Sequence, residues 1–210
     1  MSRNSPLSPS STLFDKTAHW FDRAKAALIG NLPCRQGCSR CCVGLFPVTI
    51  LDQQEIQRGL CSLPDDRRRA IEEKASQQVS LISASAPQLA HNRFIDHWTD
   101  RDVDTLVERY SELPCPALAQ DGSCSIYNFR PLTCRSMGIP SDVDGVVHGA
   151  CTIQTSVPLI RLSSPLRHEE DLLAKAEAEQ LALLRHQIST PGEEVLLPYA
   201  FLPTLVPDEG

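Results

Sequence analysis

Eight of the nine cysteines in this 210-residue chain fall into two groups. The first is Cys34-x3-Cys38-x2-Cys41-Cys42, inside the stretch CRQGCSRCCVGLFP. The second is Cys115-x8-Cys124-x9-Cys134, followed after sixteen intervening residues by Cys151. A tetrahedral thiolate site needs four sulfurs converging on one ion at ~2.3 Å. Cys-x2-Cys is the shortest comfortable loop that turns two sulfurs toward one ion, and the neighbouring glycine and serine permit the tight turn. Successive side chains diverge, so Cys41 and Cys42 are expected to face different metals, or one of them the core. Eight thiolates suit two four-sulfur zinc sites, or an iron–sulfur cluster with a further metal site. Thiolates are soft ligands and select zinc, iron–sulfur or copper(I) over magnesium or calcium.

Two other chemistries compete. A disulfide framework belongs to an oxidising compartment. The N-terminal MSRNSPLSPSST is polar, with no apolar segment ahead of a small-residue cleavage site, so no signal peptide is read. The expected compartment is the cytoplasm, where thiols stay reduced. Cys34, Cys38 and Cys41 also have the spacing by which radical enzymes hold a [4Fe–4S] cluster. Those enzymes need a repeating βα barrel, and this sequence has almost no strand pattern. An ordinary iron–sulfur cluster on the same three cysteines stays open. Cys61 stands alone and reads as a buried small hydrophobe.

Around the second group, GSCSIYNFRPLTCR offers more than sulfur. Tyr127 and Phe129 are expected to wall a site from water. Arg130-Pro131 starts a short helix, since proline suits a first helical position. Four thiolates on a divalent ion leave a net charge of about −2. Arg130 and Arg135 are placed in sequence to neutralise it, or else are surface ion-pair partners. Tyr127, Arg130 and Arg135 are thus the expected residues lining the bound group. Of six histidines, only His148, three before Cys151, has ligand spacing. DRDVD at 100–104 reads as an acidic helix start rather than a carboxylate site. There is no glycine-rich phosphate loop and no nucleophile elbow.

The elements that must position these groups are mainly helical. Residues 1–11 read as disordered. A helix from Thr12 to about Leu28 carries Phe14, Ala18, Phe21 and Ala24. A short extended piece at 48–50 leads into a helix capped by Asp52 and Glu55 and running to about Leu60. Helices follow at 65–83 (Ile71, Ala75, Val79, Ile82), at 88–99 (Leu89, Phe94, Ile95, Trp98) and at 102–112. The strongest spans 166–187, with Leu166, Leu172, Leu173, Ala176, Leu181 and Leu184 on its apolar side. The expected fold class is mainly α: an irregular helical domain over 12–188, two cysteine-rich metal-binding loops, very little strand. A Pro-rich tail at 189–210 holds VLLPYAFLPTLV, apolar enough to dock on something.

Hydrophobic residues make up 41% of the chain and the formal net charge is −6. A protein that grips phosphates shows a basic excess, so nucleic acid is not expected as a partner. No apolar run approaches the ~20 residues that span a bilayer. The expected partner is a metal ion; a protein partner is left open.

The two motifs together resemble the CxxCxxCC or YkgJ-type family, described as zinc- or iron-chelating. Its opening CxxxCxxCC corresponds to Cys34, Cys38, Cys41 and Cys42. Its CPxL…GxCxIYxxRPxxCR segment corresponds to Cys115, Pro116, Leu118, Gly122, Cys124, Ile126, Tyr127, Arg130, Pro131, Cys134 and Arg135, with Cys151 as the later cysteine. The segment after Arg135, SMGIP, lacks the family's aromatic-proline form. The resemblance implies bound zinc or iron on these eight cysteines, including a [4Fe–4S] cluster as an alternative. A methylase that acts on flagellin carries a similar cluster, so the resemblance also admits a methylase-like enzymatic role.

Overall fold

The computed structural model describes residues 12–28, 37–149 and 160–203. The readings made for residues 1–11, Cys34, Cys151 and the last seven residues of the tail lie outside them. Among the described residues the protein is mainly helical, with seven α-helices and four strands of three residues each. The chain divides into two compact units, Met1–Cys34 with Leu132–Gln180, and Arg35–Pro131 with Leu181–Gly210.

The first unit is built on α1 (Leu13–Ala27). Thr12 Oγ1 accepts from the Asp15 amide and Asp15 accepts from the Thr12 amide, closing a capping box that satisfies orphan donors at the helix start. The Thr12 hydroxyl, donating to the Asp15 carboxylate at 2.8 Å, and then the Thr12 amide hold that carboxyl below its ordinary pKa. The buried stripe is Leu13, Phe14, Thr17, Trp20 and Ala24. Trp20 therefore takes the place expected for Phe21. Its indole N–H donates to the Leu166 carbonyl at 2.9 Å, which a buried tryptophan requires. Trp20, Ala24, Leu28, Ile139 and Leu162 form this unit's core. The short α5 (Leu132–Ser136) packs on α1. A hairpin of β2 (Ser141–Val143) and β3 (Val146–His148) follows, tied to Arg161 through Asp142 and the Gly145 carbonyl.

The long helix α6 (Ser164–Ile188) forms as expected. Its apolar side is another matter. Leu184 is buried, but Leu172, Leu183 and Ile188 are exposed. Intrinsic propensity, with alanine, leucine and glutamate throughout, carries a helix that burial does not demand.

The second unit holds the larger core. β1 (Pro47–Thr49) leads directly into α2 (Ile50–Cys61). The capping box is Thr49 with Asp52, each side chain accepting from the other's amide at 3.2 Å, not Asp52 with Glu55. The helix therefore begins at Ile50. α3 (Asp65–Ser85) buries Ile71, Ala75, Gln78 and Ile82. α4 (Asp100–Arg109) is capped by Thr99 and starts in the acidic run, as read.

Residues 88–99 are not a helix. A 3₁₀ turn at Pro87–Ala90 gives way to extended chain, where Phe94 bridges to Val195 and the Ile95 amide donates to the Glu194 carbonyl at 3.0 Å. Those backbone groups serve β4 (Glu194–Leu196), which pairs antiparallel with β1 in the register Val48↔Val195. α7 (Leu197–Ala200) continues from it. The apolar tail segment thus docks within its own unit: every residue from Val195 to Phe201 is buried. No helix among the described residues is long and apolar enough to cross a membrane.

Candidate metal centre

Backbone pairing brings the two cysteine loops together inside the second unit. Arg40–Cys42 is a 3₁₀ turn. The Cys115 amide donates to the Cys42 carbonyl at 2.7 Å, and the Gly44 amide donates to the Leu113 carbonyl at 2.8 Å. Val43 and Pro114 form an antiparallel bridge between them. Two loops about 70 residues apart in sequence are thereby joined with Cys42 and Cys115 at the seam.

Cys124 returns to the seam by a tight turn. Ala119 and Ser123 pair at 2.9 Å, Leu118 bridges to Cys124, and the Ser125 amide donates to the Ala117 carbonyl. Asp121 accepts from both the Ser123 amide and its hydroxyl, pinning the turn. Gly122 has φ +81°, the left-handed region that favours glycine. It faces the Gly37 carbonyl, so the turn lies against the first loop.

The segment after Cys124 is set by α2. A Cβ on Gly59 would sit 2.7 Å from the Phe129 Cβ and 3.1 Å from the Ile126 Cβ. Only glycine lets the 3₁₀ turn Tyr127–Phe129 lie directly on that helix. Phe129 packs on the core beneath the Arg58 guanidinium. Tyr127 is 45% exposed and carries the Arg130 guanidinium 3.7 Å above its ring. The aromatic pair expected to wall a site is therefore divided between core and surface.

The sulfurs of Cys41, Cys42, Cys115 and Cys124 form one electrostatic group. Cys42 donates its S–H to Cys41, which draws the Cys41 thiol down to about 6, helped by Arg130. Giving that hydrogen bond raises Cys42 strongly; burial and the charges of Cys41, Cys115 and Cys124 add to it. Burial pushes Cys115 up to about 12, against amide donation from Ala117 and Leu118 and the charge of Lys74. Burial also raises Cys124, opposed by the Ile126 amide and Arg130. Cys41 and Cys42 thus lie within hydrogen-bonding reach of each other. In metal-free protein, iodoacetamide should label Cys41 faster than the exposed Cys61 at pH 7, with a rate midpoint near pH 6, where the Cys42 hydrogen bond places the Cys41 thiol at about 6. Peptide mass spectrometry across a pH series checks this, and equal labelling of the two would refute it.

Among the described residues, none of Cys38, Cys41, Cys42, Cys61, Cys115, Cys124 and Cys134 is in a disulfide. Cys61 is exposed rather than buried, since Leu60 beside it takes the core-facing position at the end of α2. Cys134 lies on α5 in the first unit. So does Arg135, which is buried with its guanidinium 5.4 Å from the Phe14 ring centre. His148 is exposed on β3. Among the described residues, no three His, Cys, Asp or Glu side chains are gathered closely enough to hold an ion as they stand.

The donor chemistry nonetheless fits a soft metal. Cys41, Cys42, Cys115 and Cys124 are near enough to influence one another in partly buried loops, amides of Ala117, Leu118 and Ile126 donate to two of the sulfurs, and Arg130 and Lys74 supply positive charge. Amide donation and cations favour thiolate over thiol, and only the thiolate ligates. Lys74 was missed by sequence reasoning, because nothing in its α3 neighbours marks it out.

Residues 33–152 match the family model CxxCxxCC, described as "Putative zinc- or iron-chelating domain". The match takes in both cysteine groups and more than half of the chain. No curated protein matches, and no solved structure does.

Proposed function

The chain belongs to the CxxCxxCC family, and from that premise we propose that it is a thiolate metal-binding protein whose ligands are Cys41, Cys42, Cys115 and Cys124. Zinc or iron is the ion, in a reducing compartment such as the cytoplasm. Cys34, Cys38, Cys134 and Cys151 complete the family's two motifs and stay proposed as further metal donors. The observation that carries the reading is the 2.7 Å bond from the Cys115 amide to the Cys42 carbonyl. It joins the two loops through backbone alone, so the loops lie side by side without a metal and the thiols need only close on the ion. A bound divalent ion would offset the burial that keeps Cys115 and Cys124 protonated, and its binding energy would add to folding energy.

A second reading is an iron–sulfur cluster on the same thiolates with a redox role. It draws support from the amides that donate to Cys115 and Cys124, because such bonds tune cluster potentials. Anaerobic purification with elemental analysis, sulfide assay and an absorption spectrum tests both. Zinc or iron bound to the chain in stoichiometric amount without sulfide supports the first reading. Iron with acid-labile sulfide and absorption near 400 nm supports the second. A chain that retains neither metal, and takes up neither on reconstitution, refutes both.

A further inference from the structure

Cys115 is the most thoroughly held of the four thiols, and α3 does part of the holding. Lys74 Nζ donates to the Cys115 carbonyl at 2.9 Å. Gln78, one helical turn further on, donates its side-chain amide to the Pro114 carbonyl at 2.8 Å. The two side chains lie four residues apart and so share a face of the helix. Ile71, Ala75 and Ile82 anchor α3 in the core, which fixes where that pair can reach. With the Cys115 amide already given to Cys42, both polar groups of the Cys115 backbone are engaged, one by the first cysteine loop and one by α3.

The ammonium does something Gln78 cannot. Arg130 acts on Cys41 and Cys124, while Lys74 acts on Cys115. The two cations thus act on different thiols of the group. A divalent ion on four thiolates carries a net charge of about −2. Arg130 and Lys74 together bring that to about zero in a partly buried site, where an unbalanced charge costs more than at the open surface.

We propose that Lys74 is a positioning residue for Cys115 and, with Arg130, one of two counter-charges that fit the thiolate centre to a divalent ion. This rests on the metal-binding reading above. Outer partners of metal ligands typically contribute 10–100-fold to affinity. Lys74→Met keeps the length and packing of the side chain and removes its charge. Lys74→Arg keeps the charge and a donor.

The test is zinc affinity of the full chain, measured by competition with a chelator at neutral pH, with the cobalt(II) charge-transfer spectrum as a second readout. The expected result is a loss of about 10–100-fold in K74M, affinity close to the parent in K74R, and a changed cobalt spectrum in K74M only. A purely packing role would not be rescued by arginine. K74M binding as tightly as the parent, or K74R binding as weakly as K74M, overturns the proposal. Should K74M fail to fold, K74Q against K74R makes the same comparison, and equal affinities overturn it. A parent chain that binds neither zinc nor cobalt removes the metal-binding reading and this proposal together. A parent chain that binds while K74M binds equally well removes this proposal alone.

Discussion

Cys42→Ser in the full chain is expected to lower zinc affinity by roughly a hundredfold or more while leaving the fold intact. Cys42 is the thiol that interacts with all three of the others, Cys41, Cys115 and Cys124. A four-thiolate zinc site contributes ~10–16 kcal/mol in total. One ligand in four is then worth about 3 kcal/mol, which is somewhat over a hundredfold in affinity. Serine is close to cysteine in size and can still donate to Cys41. The bond that joins the loops uses the Cys42 carbonyl, which the substitution does not touch. Chelator competition gives the affinity, and far-UV circular dichroism of the metal-free protein gives the fold. Cys61→Ser, on an exposed lone cysteine, is the matched control and should bind as the parent does. A C42S protein that binds as tightly as C61S would remove Cys42 from the ligand set.

The two cysteine loops were legible in the sequence, because four sulfurs in nine residues have few uses besides metal, disulfide or redox chemistry. Their junction was not. It depends on a backbone bond between residues 42 and 115, and backbone groups leave no trace in side-chain patterning. The same limit explains residues 88–99. Leu89, Phe94, Ile95 and Trp98 have helical spacing, yet the amide of Ile95 is given to Glu194, about a hundred residues further along the chain. Where structure is local, the reading held. α1, α3 and α4 follow from periodicity and local end signals, and α6 from intrinsic propensity, within a few residues of their ends. The start of α2 shows two local signals in competition. Asp52 could cap a helix or close a box begun by Thr49, and the second option gains nearly a full extra turn, which carries Ile50 and Leu51 into buried positions. Trp20 displacing Phe21 is a one-position rotation of the α1 face, which the long-range bond to Leu166 selects.

The segment after residue 193 offers the other large effect, and it connects the core to the metal. Phe201→Ala is expected to destabilise the second unit by ~3–5 kcal/mol, the usual range for emptying a buried phenylalanine site. Phe201 is 1% exposed and packs in one core with Ile56, Leu60, Ile82 and Leu197. Gln57 holds the same segment by donating to the Ala200 carbonyl at 2.8 Å and the Leu202 carbonyl at 3.2 Å. Typical domains have only 5–15 kcal/mol in hand, so the metal-free variant should unfold at markedly lower urea. Zinc binds the folded state, and at a hundred times its dissociation constant it returns about 2.7 kcal/mol. That is most of the smaller loss and about half of the larger one. Urea midpoints with and without zinc, for parent and variant, therefore give four values with a fixed relation. The variant falls without metal and recovers partly with it, while the zinc-induced shift is of similar size in both chains. A midpoint unmoved by the substitution would show that residues 195–201 are peripheral to this core. A midpoint that falls but ignores zinc would place the metal outside the unit that Phe201 stabilises.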